Sequence, residues 1–340
     1  MEKPITKNQA NKAGERIAKE SEPSSADLEI VEQWRAAHLP ALNAAMDAII
    51  QVIGDSSEWI LVGRLKKLDT IVDKLQRKEG KGRHSLKKMG DIAGCRIIVP
   101  NLEDQDRVCD KLRGIPDFTN AHINDYVKEP KETGYRAIHM YPSYFGSLDN
   151  TPLSVEVQIR TFNQHMWATS VEIYDSVMRT RLKFGAGESL SEAMFKLLAA
   201  ALNLKDTQHF FPEDTQKELD AIGRGVSKIL SNVGMLSKLE AANDSLFVAP
   251  IPSCTSDDLV LLDVDLEEQV IEIVPLPKET AVDRYGELER DNRDHNVVLV
   301  STADINDLKI AYPNYFMDAG GFVVLLNELL AGSHRLIEEG

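Results

Sequence analysis

The chain has 340 residues, 43% of them hydrophobic, and a net charge of -15, enough apolar material to bury one large core or two modest ones. So acidic a balance excludes broad non-specific binding to nucleic acid, which needs a positive footprint, and no run approaches the roughly 18 uninterrupted apolar residues of a membrane helix. Three cysteines, Cys95, Cys109 and Cys254, lie far apart with no CxxC pair, which argues against a disulfide framework or a zinc site and predicts reduced, structural thiols.

In chain order, residues 1–24 are polar and end in SEPSSADLE. They predict a mobile arm, too polar for a secretory signal, so the cytoplasm is the expected location and no membrane partner is expected. From Asp27 to Ile53 apolar residues recur at helical spacing, with Pro40 marking a kink or a break into two helices. Ser56 to Arg77 repeats that spacing with basic residues between the apolar ones, which predicts one amphipathic helix with a cationic face. After the linker KEGKGRHSLKKMG, residues 95–99 predict a buried strand stopped by Pro100. A helix is predicted at 103–112, strands at 122–127, 136–145 and 153–159, and helices at 162–178, 188–204 and 214–242. In the last of these strands Val155 and Val157 point to one face, Glu156 and Gln158 to the other. A linker at 243–252 precedes strands near 259–264, 269–274 and 296–301 and helices near 278–290, 303–310 and 318–338. The expected fold is therefore α+β, a mixed β-sheet flanked by helices over residues 25–242, followed by a smaller acidic α/β accessory domain at 250–340 whose role is open.

Charge is uneven. Between Arg64 and Arg96 eleven basic residues stand against four acidic ones, a local +7 that leaves -22 for the remainder. A basic island in an acidic chain suits a small, highly anionic ligand such as a nucleoside triphosphate; a solvated helix face is the plainer reading.

Four motifs fall in and just beyond this island: Arg64-Leu65-Lys66 through Thr70 to Lys74; Asp91-Ile92-Ala93-Gly94-Cys95-Arg96; Asp125-Tyr126-Val127 through Lys131 to Gly134-Tyr135-Arg136-Ala137-Ile138-His139; and Val155-Glu156-Val157-Gln158-Ile159-Arg160-Thr161 with His165-Met166-Trp167-Ala168-Thr169. In order and spacing they resemble the synthetase domain of the RelA/SpoT family, close in plan to the small alarmone synthetases, over roughly residues 60–175. The resemblance implies a nucleotidyltransferase-like synthetase domain that moves a pyrophosphoryl group from ATP to the ribose 3′-hydroxyl of GDP or GTP, with Mg2+ as cofactor. Such a transfer rests on positioning and charge neutralisation, and Mg2+ takes one or two carboxylates and leaves its other positions to water and phosphate.

By the resemblance, Asp91 and Glu156 are the catalytic and metal-binding pair, with Glu156 also the candidate base. Arg64 and Arg96 flank the adenine, and Lys66 and Lys74 meet the ATP phosphates. Thr70, where the family commonly has Ser, keeps a hydroxyl. Lys131, Tyr135 and His139 are assigned to the acceptor nucleotide, Tyr135 as a stacking platform, with Gln158, Arg160 and His165 completing that side and Arg136 less clearly placed. Each has a plainer reading: a turn carboxylate for Asp91, an outward strand residue for Glu156, a structural brace for Arg160, a packed imidazole for His165. Lys87 and Lys88 stay outside the core assignment, and Trp167 is read as core. The family often carries Glu-His shortly after that tryptophan, whereas here Ile173 follows Glu172, which leaves the role of that histidine unfilled and keeps the choice between a housekeeping and a toxin role open. With no His-Asp dipeptide, the hydrolase half of the long bifunctional relatives is expected to be missing. Two alternatives stand beside this reading: a toxic relative that pyrophosphorylates tRNA 3′ ends or adenosine nucleotides, its C-terminal domain acting as antitoxin, sensor or dock, and an inactive nucleotide-binding module. Oligomeric state, a homo-oligomer included, stays open.

Overall fold

The structure is a computed structural model that describes residues 5–54, 58–77, 85–148, 151–178, 189–207, 212–233, 240, 246–250, 258–265, 267–291, 295–302 and 306–338. Where a mobile arm is expected, helix α1 (Lys7–Ile17) is closed by a capping box between Thr6 and Gln9, and Ala10, Ala13 and Ile17 are fully buried. A helix with an apolar stripe that finds a partner surface docks; here the partner is the turn around Leu86. Pro40 does divide the next stretch, into α2 (Ser25–Ala36) and α3 (Leu39–Ile53). Together Ser25–Ile53 has the length and hydropathy of a membrane span, but the break at 37–38 and the burial of Val31, Trp34, Leu42 and Ile49 make it two core helices.

The single helix expected over Ser56–Arg77 is corrected. Ile60–Leu65 is strand β1 and only Leu68–Gln76 is helix, α4. Ile60, Leu61 and Val62 are consecutive and all buried, which suits a strand covered on both faces; pairing on either side overrides the helical spacing. Next come β2 (Ala93–Val99), α5 (Leu102–Arg113), β3 (His122–Asp125), β4 (Ile138–Tyr141), β5 (Ser143–Phe145) and β6 (Pro152–Thr161). Helices α6 (Phe162–Met178), α7 (Ser189–Thr207) and α8 (Pro212–Val233) follow; of the helix expected at 214–242, the part past 233 lies outside the described residues apart from residue 240.

The C-terminal region supplies β7 (Phe247–Val248), β8 (Asp258–Asp265), β9 (Val270–Pro277), α9 (Lys278–Asp291), β10 (His295–Thr302), α10 (Asp307–Ala311) and α11 (Gly320–Glu338). It has the expected α/β composition, and its strands join the central sheet through an antiparallel β1–β10 ladder rather than forming a sheet of their own. The order is β3-β4-β6-β2-β1-β10-β8-β9-β7, with β5 on β6. Among the described residues only β2–β6 and β7–β9 pair in parallel, so the sheet is mixed. Its odd-numbered side chains in β1, β2 and β6 (Leu61, Leu65, Cys95, Ile97, Val155, Val157, Ile159) share one core with α3 and α5. The other face begins as a second core, where Ile60, Val62 and Ile98 meet Val260, Leu262, Val298, Tyr312 and Tyr315.

Candidate functional site

Register decides which polar groups meet. Across three neighbouring strands Arg64 pairs with Gly94 and Gly94 with Glu156; one step along, Val62 pairs with Arg96, Arg96 with Gln158, and Gln158 with His139. Directly opposed residues share a sheet face, so four of the sequence motifs deliver their polar side chains to one surface. Gly94, without a side chain, leaves the floor between Arg64 and Glu156 open. A cavity of about 100 Å³ lies over this floor, lined by Arg64, Lys66, Asp91, Arg96, Glu156 and Gln158 among others. A larger one of about 500 Å³ adjoins it, also bounded by Asp91 and Glu156 and by Lys7, Lys74, Lys87 and Lys88. The two carboxylates therefore face common space.

Asp91 stands in the turn before β2. Lys66 Nζ donates to its Oδ2 at 2.9 Å, and Lys74 Nζ to Oδ1 and Oδ2 at 2.9 and 2.8 Å. Burial favours the neutral acid, but the two ammonium groups outweigh it and hold the carboxyl below its ordinary range. Glu156 Oε1 accepts from His139 Nδ1 at 3.0 Å and Tyr141 Oη at 2.8 Å, and its Oε2 from Gln158 Nε2 at 2.7 Å. Here too burial opposes ionisation and loses, to His139 first and then to the Tyr141 and Gln158 hydrogen bonds, and the group lies far below the usual carboxylate range. Glu156 is thus a firmly ionised group that attracts cations and accepts a proton reluctantly.

The acceptor-loop residues form an adjoining cluster. His139 Nε2 accepts the Tyr135 hydroxyl at 2.6 Å, Arg160 Nη2 donates to that hydroxyl at 2.9 Å, and Lys131 Nζ lies 4.9 Å from the Tyr135 ring centre. Burial lowers the His139 pKa, in keeping with a neutral ring whose Nδ1 carries the proton given to Glu156. The Tyr135 ring is half-buried with its hydroxyl end tied down. Gly134 has φ +95° and passes so close to α7 that an added Cβ would stand 2.6 Å from Ala199 Cβ. Arg136 donates to the Gly134 carbonyl at 3.2 Å, and Trp167 is core, its Nε1 donating to Phe195 O.

Residues 63–174 match the family model described as a region found in RelA/SpoT proteins. The match takes in 112 of the 340 residues, so what is similar to RelA/SpoT proteins is this segment. Over 112 residues the chain is 38% identical to GTP pyrophosphokinase YjbM of Bacillus subtilis, and over 110 residues 34% identical to YwaC of the same organism, covering 32% and 31% of this chain. The aligned part spans about half the length of each relative, 52%. Among solved structures, small alarmone synthetase 1 of Bacillus subtilis bound to its product pppGpp aligns over 52% of this chain and 95% of its own, at 26% identity and a TM-score of 0.43.

Within the matched segment, Arg96, which the resemblance assigns to the purine of the donor, is covered by the C-terminal region. Arg96 Nη1 donates to Ala311 O at 2.7 Å, and its guanidinium carbon lies 5.7 Å from the Tyr312 ring centre. His165 Nε2 donates to Ile310 O at 2.7 Å, which places this imidazole against α10 and apart from both cavities. Burial and then the neighbouring Arg96 and Arg160 keep His165 neutral. Burial, with Arg160 and Arg64 nearby, lowers the Arg96 pKa to about 10, so it remains cationic at neutral pH. Thr70 sits one helical turn before Lys74 and lines neither cavity.

Sequence reasoning missed four contributing residues. Tyr141 shares a strand face with His139 two residues earlier, a signal that was available. Tyr312 carried a weaker one, an aromatic pair with Tyr315 around Pro313 in an acidic segment. Arg35 and Glu289, which join α2 to α9 behind Lys66, carried none.

The carboxylates suit a hard divalent cation. A carboxylate offers about four lone-pair positions; the three hydrogen bonds that each of these accepts leave room for a metal ligand. Among the described residues no cluster of three His, Cys, Asp or Glu forms an all-protein metal cage, and Mg2+ bound beside phosphate does not require one.

Proposed function

We propose that this chain transfers a pyrophosphoryl group from ATP to the ribose 3′-hydroxyl of GDP or GTP, making a (p)ppGpp-type alarmone. The observation that carries this reading is the pair of ionised carboxylates, Asp91 and Glu156, facing one cavity with Lys66 and Lys74 already on Asp91. The names of the relatives, GTP pyrophosphokinases, support the same class of reaction.

Asp91 and Glu156 would hold Mg2+, which neutralises phosphate charge and fixes phosphate oxygens. When a triphosphate enters, Lys66 and Lys74 exchange one anionic partner for another and meet the phosphates. Arg64 and Arg96 then offer guanidinium faces to the purine. On the other side of Glu156, Tyr135 presents its half-buried ring to the acceptor base, with Lys131 and Arg160 supplying positive charge beside it. His139 and Gln158 hold the Glu156 carboxylate in one orientation, so its charge is aimed at the position where the 3′-hydroxyl must lie. The contribution of these residues is alignment and charge, as in-line phosphoryl transfer requires.

The test is to incubate the full chain with γ-labelled ATP and magnesium and, in separate reactions, GDP, GTP, ATP, AMP or bulk tRNA. Label is expected on the guanosine nucleotides, and Asp91→Asn and Glu156→Gln are each expected to lower the rate at least a hundredfold. A loss under tenfold, about 1.4 kcal/mol, removes the carboxylate assignment, and label on tRNA or adenosine nucleotides alone transfers the reading to the toxic relatives.

A further inference from the structure

The helix that presents Lys74 has no cap of its own. The N-cap position of α4 is Lys67, which makes no side-chain capping bond, and an uncapped first turn leaves backbone N–H groups in want of acceptors. One is satisfied from far along the chain: Glu289, on α9, accepts the Leu68 N–H through Oε1 at 3.2 Å. The other oxygen of Glu289 forms an ion pair with Arg35 Nη1, and Arg35 Nη1 also reaches the carbonyl of Lys66 at 3.4 Å. The pair is sealed, with side-chain exposures of 1% for Arg35 and 7% for Glu289, and the Tyr285 ring lies 4.5 Å from the Arg35 guanidinium. A second tie comes from β10, where Asn296 Oδ1 accepts from Lys67 Nζ at 2.8 Å.

Each contact falls between Lys66 and Leu68, the hinge between β1 and α4. Lys66 and Lys74 stand at the two ends of that hinge and helix and converge on Asp91. A nine-residue helix is about 13 Å long, so a tilt of about 5° at Leu68 moves its far end by about 1 Å, a displacement that costs rate in positioning catalysis. A buried carboxylate at a helix N-terminus also favours the helix dipole.

From this we infer that Glu289 is a positioning residue for the donor phosphates: it caps α4 and anchors Arg35, and so sets where Lys66 and Lys74 stand. The inference rests on the pyrophosphotransferase reading for its catalytic consequence, and its structural half stands apart from that reading. Through Glu289 the C-terminal region takes part in the donor site by a second route, distinct from the contact of Tyr312 with Arg96.

The experiment uses the full chain carrying Tyr312→Ala, so that the side chain over Arg96 does not mask donor binding. In that background Glu289→Gln is compared with the apolar double variant Arg35→Met/Glu289→Met, because removing one partner of a buried pair is destabilising whereas replacing both is often tolerated. The double variant is expected to melt within a few degrees of its parent, to exchange the amides of residues 68–76 faster with deuterated solvent, and to raise the KM for ATP at least tenfold while the acceptor KM stays within twofold. Glu289→Gln should raise the ATP KM in the same direction. An unchanged ATP KM in the double variant overturns the inference. So do donor and acceptor constants that rise by one common factor as the melting point falls, which marks a general structural role. If the parent transfers nothing from ATP, the synthetase reading fails instead, and the exchange rate of residues 68–76 alone decides whether Glu289 holds α4.

Discussion

Burial of one imidazole ties stability to pH at His38. Its ring is 2% exposed and its Nδ1 lies 2.7 Å from Trp34 O; burial, with Lys7 nearby and against the Trp34 carbonyl, lowers its pKa from 6.5 to about 4. Between these values the unfolded chain binds a proton that the native chain does not. The stabilisation is therefore complete above pH 6.5 and is lost as pH falls toward 4, about 3 kcal/mol in all at roughly 1.4 per unit. Denaturant midpoints at pH 7, 5.5 and 4.5 should fall more steeply for the native chain than for His38→Asn; parallel declines would show that another group sets the slope. A second residue-scale prediction concerns Gly134. Its φ of +95° and the 2.6 Å approach to Ala199 leave no place for a methyl group, so Gly134→Ala should cost about 1–3 kcal/mol. It should also raise the acceptor KM more than the ATP KM, because the displaced loop carries Lys131 and Tyr135. Thermal melts read the first effect and steady-state kinetics the second; equal shifts in both KM values would detach the loop from the acceptor.

Among the elements, the short α10 and the turn after it close over Arg96 and His165. Ala311 O holds Arg96 Nη1 and the Tyr312 ring lies beside the same guanidinium, so on the proposed reading a purine that stacks on Arg96 competes with the ring. Tyr312→Ala removes the ring and leaves the backbone bond; it is expected to tighten binding of a non-hydrolysable ATP analogue by three- to tenfold and to raise transfer at low ATP. An unchanged dissociation constant by calorimetry would mean that Tyr312 does not compete with the donor. This arrangement was not legible in the sequence, because contacts between residues 96 and 312 depend on β10 pairing with β1, and nothing local encodes which strand a sheet edge will choose. Alternation within strands was legible: Glu156 and Gln158 do share a face, and the boundaries of β2, β8, β9 and α9 lie within a few residues of their expected places. The reading of 56–77 as one helix failed because apolar residues at helical spacing also occur in a doubly covered strand followed by a helix, and only the long-range ladders tell them apart. The site residues were read through motif chemistry, which identifies the groups that must meet; that Tyr135 is tied by His139 and Arg160, or that His165 turns to Ile310, depends on side-chain packing that motif order does not contain.

For the whole molecule, the question is whether residues 247–340 can be removed. The sheet answers through β1, whose outer edge pairs with β10 and whose Ile60 and Val62, with Ile98 beside them, are buried against Val260, Leu262, Val298 and Val300. At roughly 1.5–3 kcal/mol for each fully buried aliphatic side chain, uncovering three of them forfeits an amount comparable with the 5–15 kcal/mol that separates folded from unfolded domains. It also bares a flat apolar strand edge, a template for pairing with another chain. A chain ending at residue 246 also loses the Glu289 cap on α4 and the carbonyl bonded to Arg96, so any release of the donor pocket would come with a displaced Lys74. The truncated chain is therefore expected to elute as soluble aggregate in size-exclusion chromatography, to bind a hydrophobic dye strongly, and to transfer pyrophosphate more slowly than Tyr312→Ala in the full chain. A monodisperse truncated form more active than that variant would show that the C-terminal strands only cover the proposed donor site, and that β1 closes the sheet unaided.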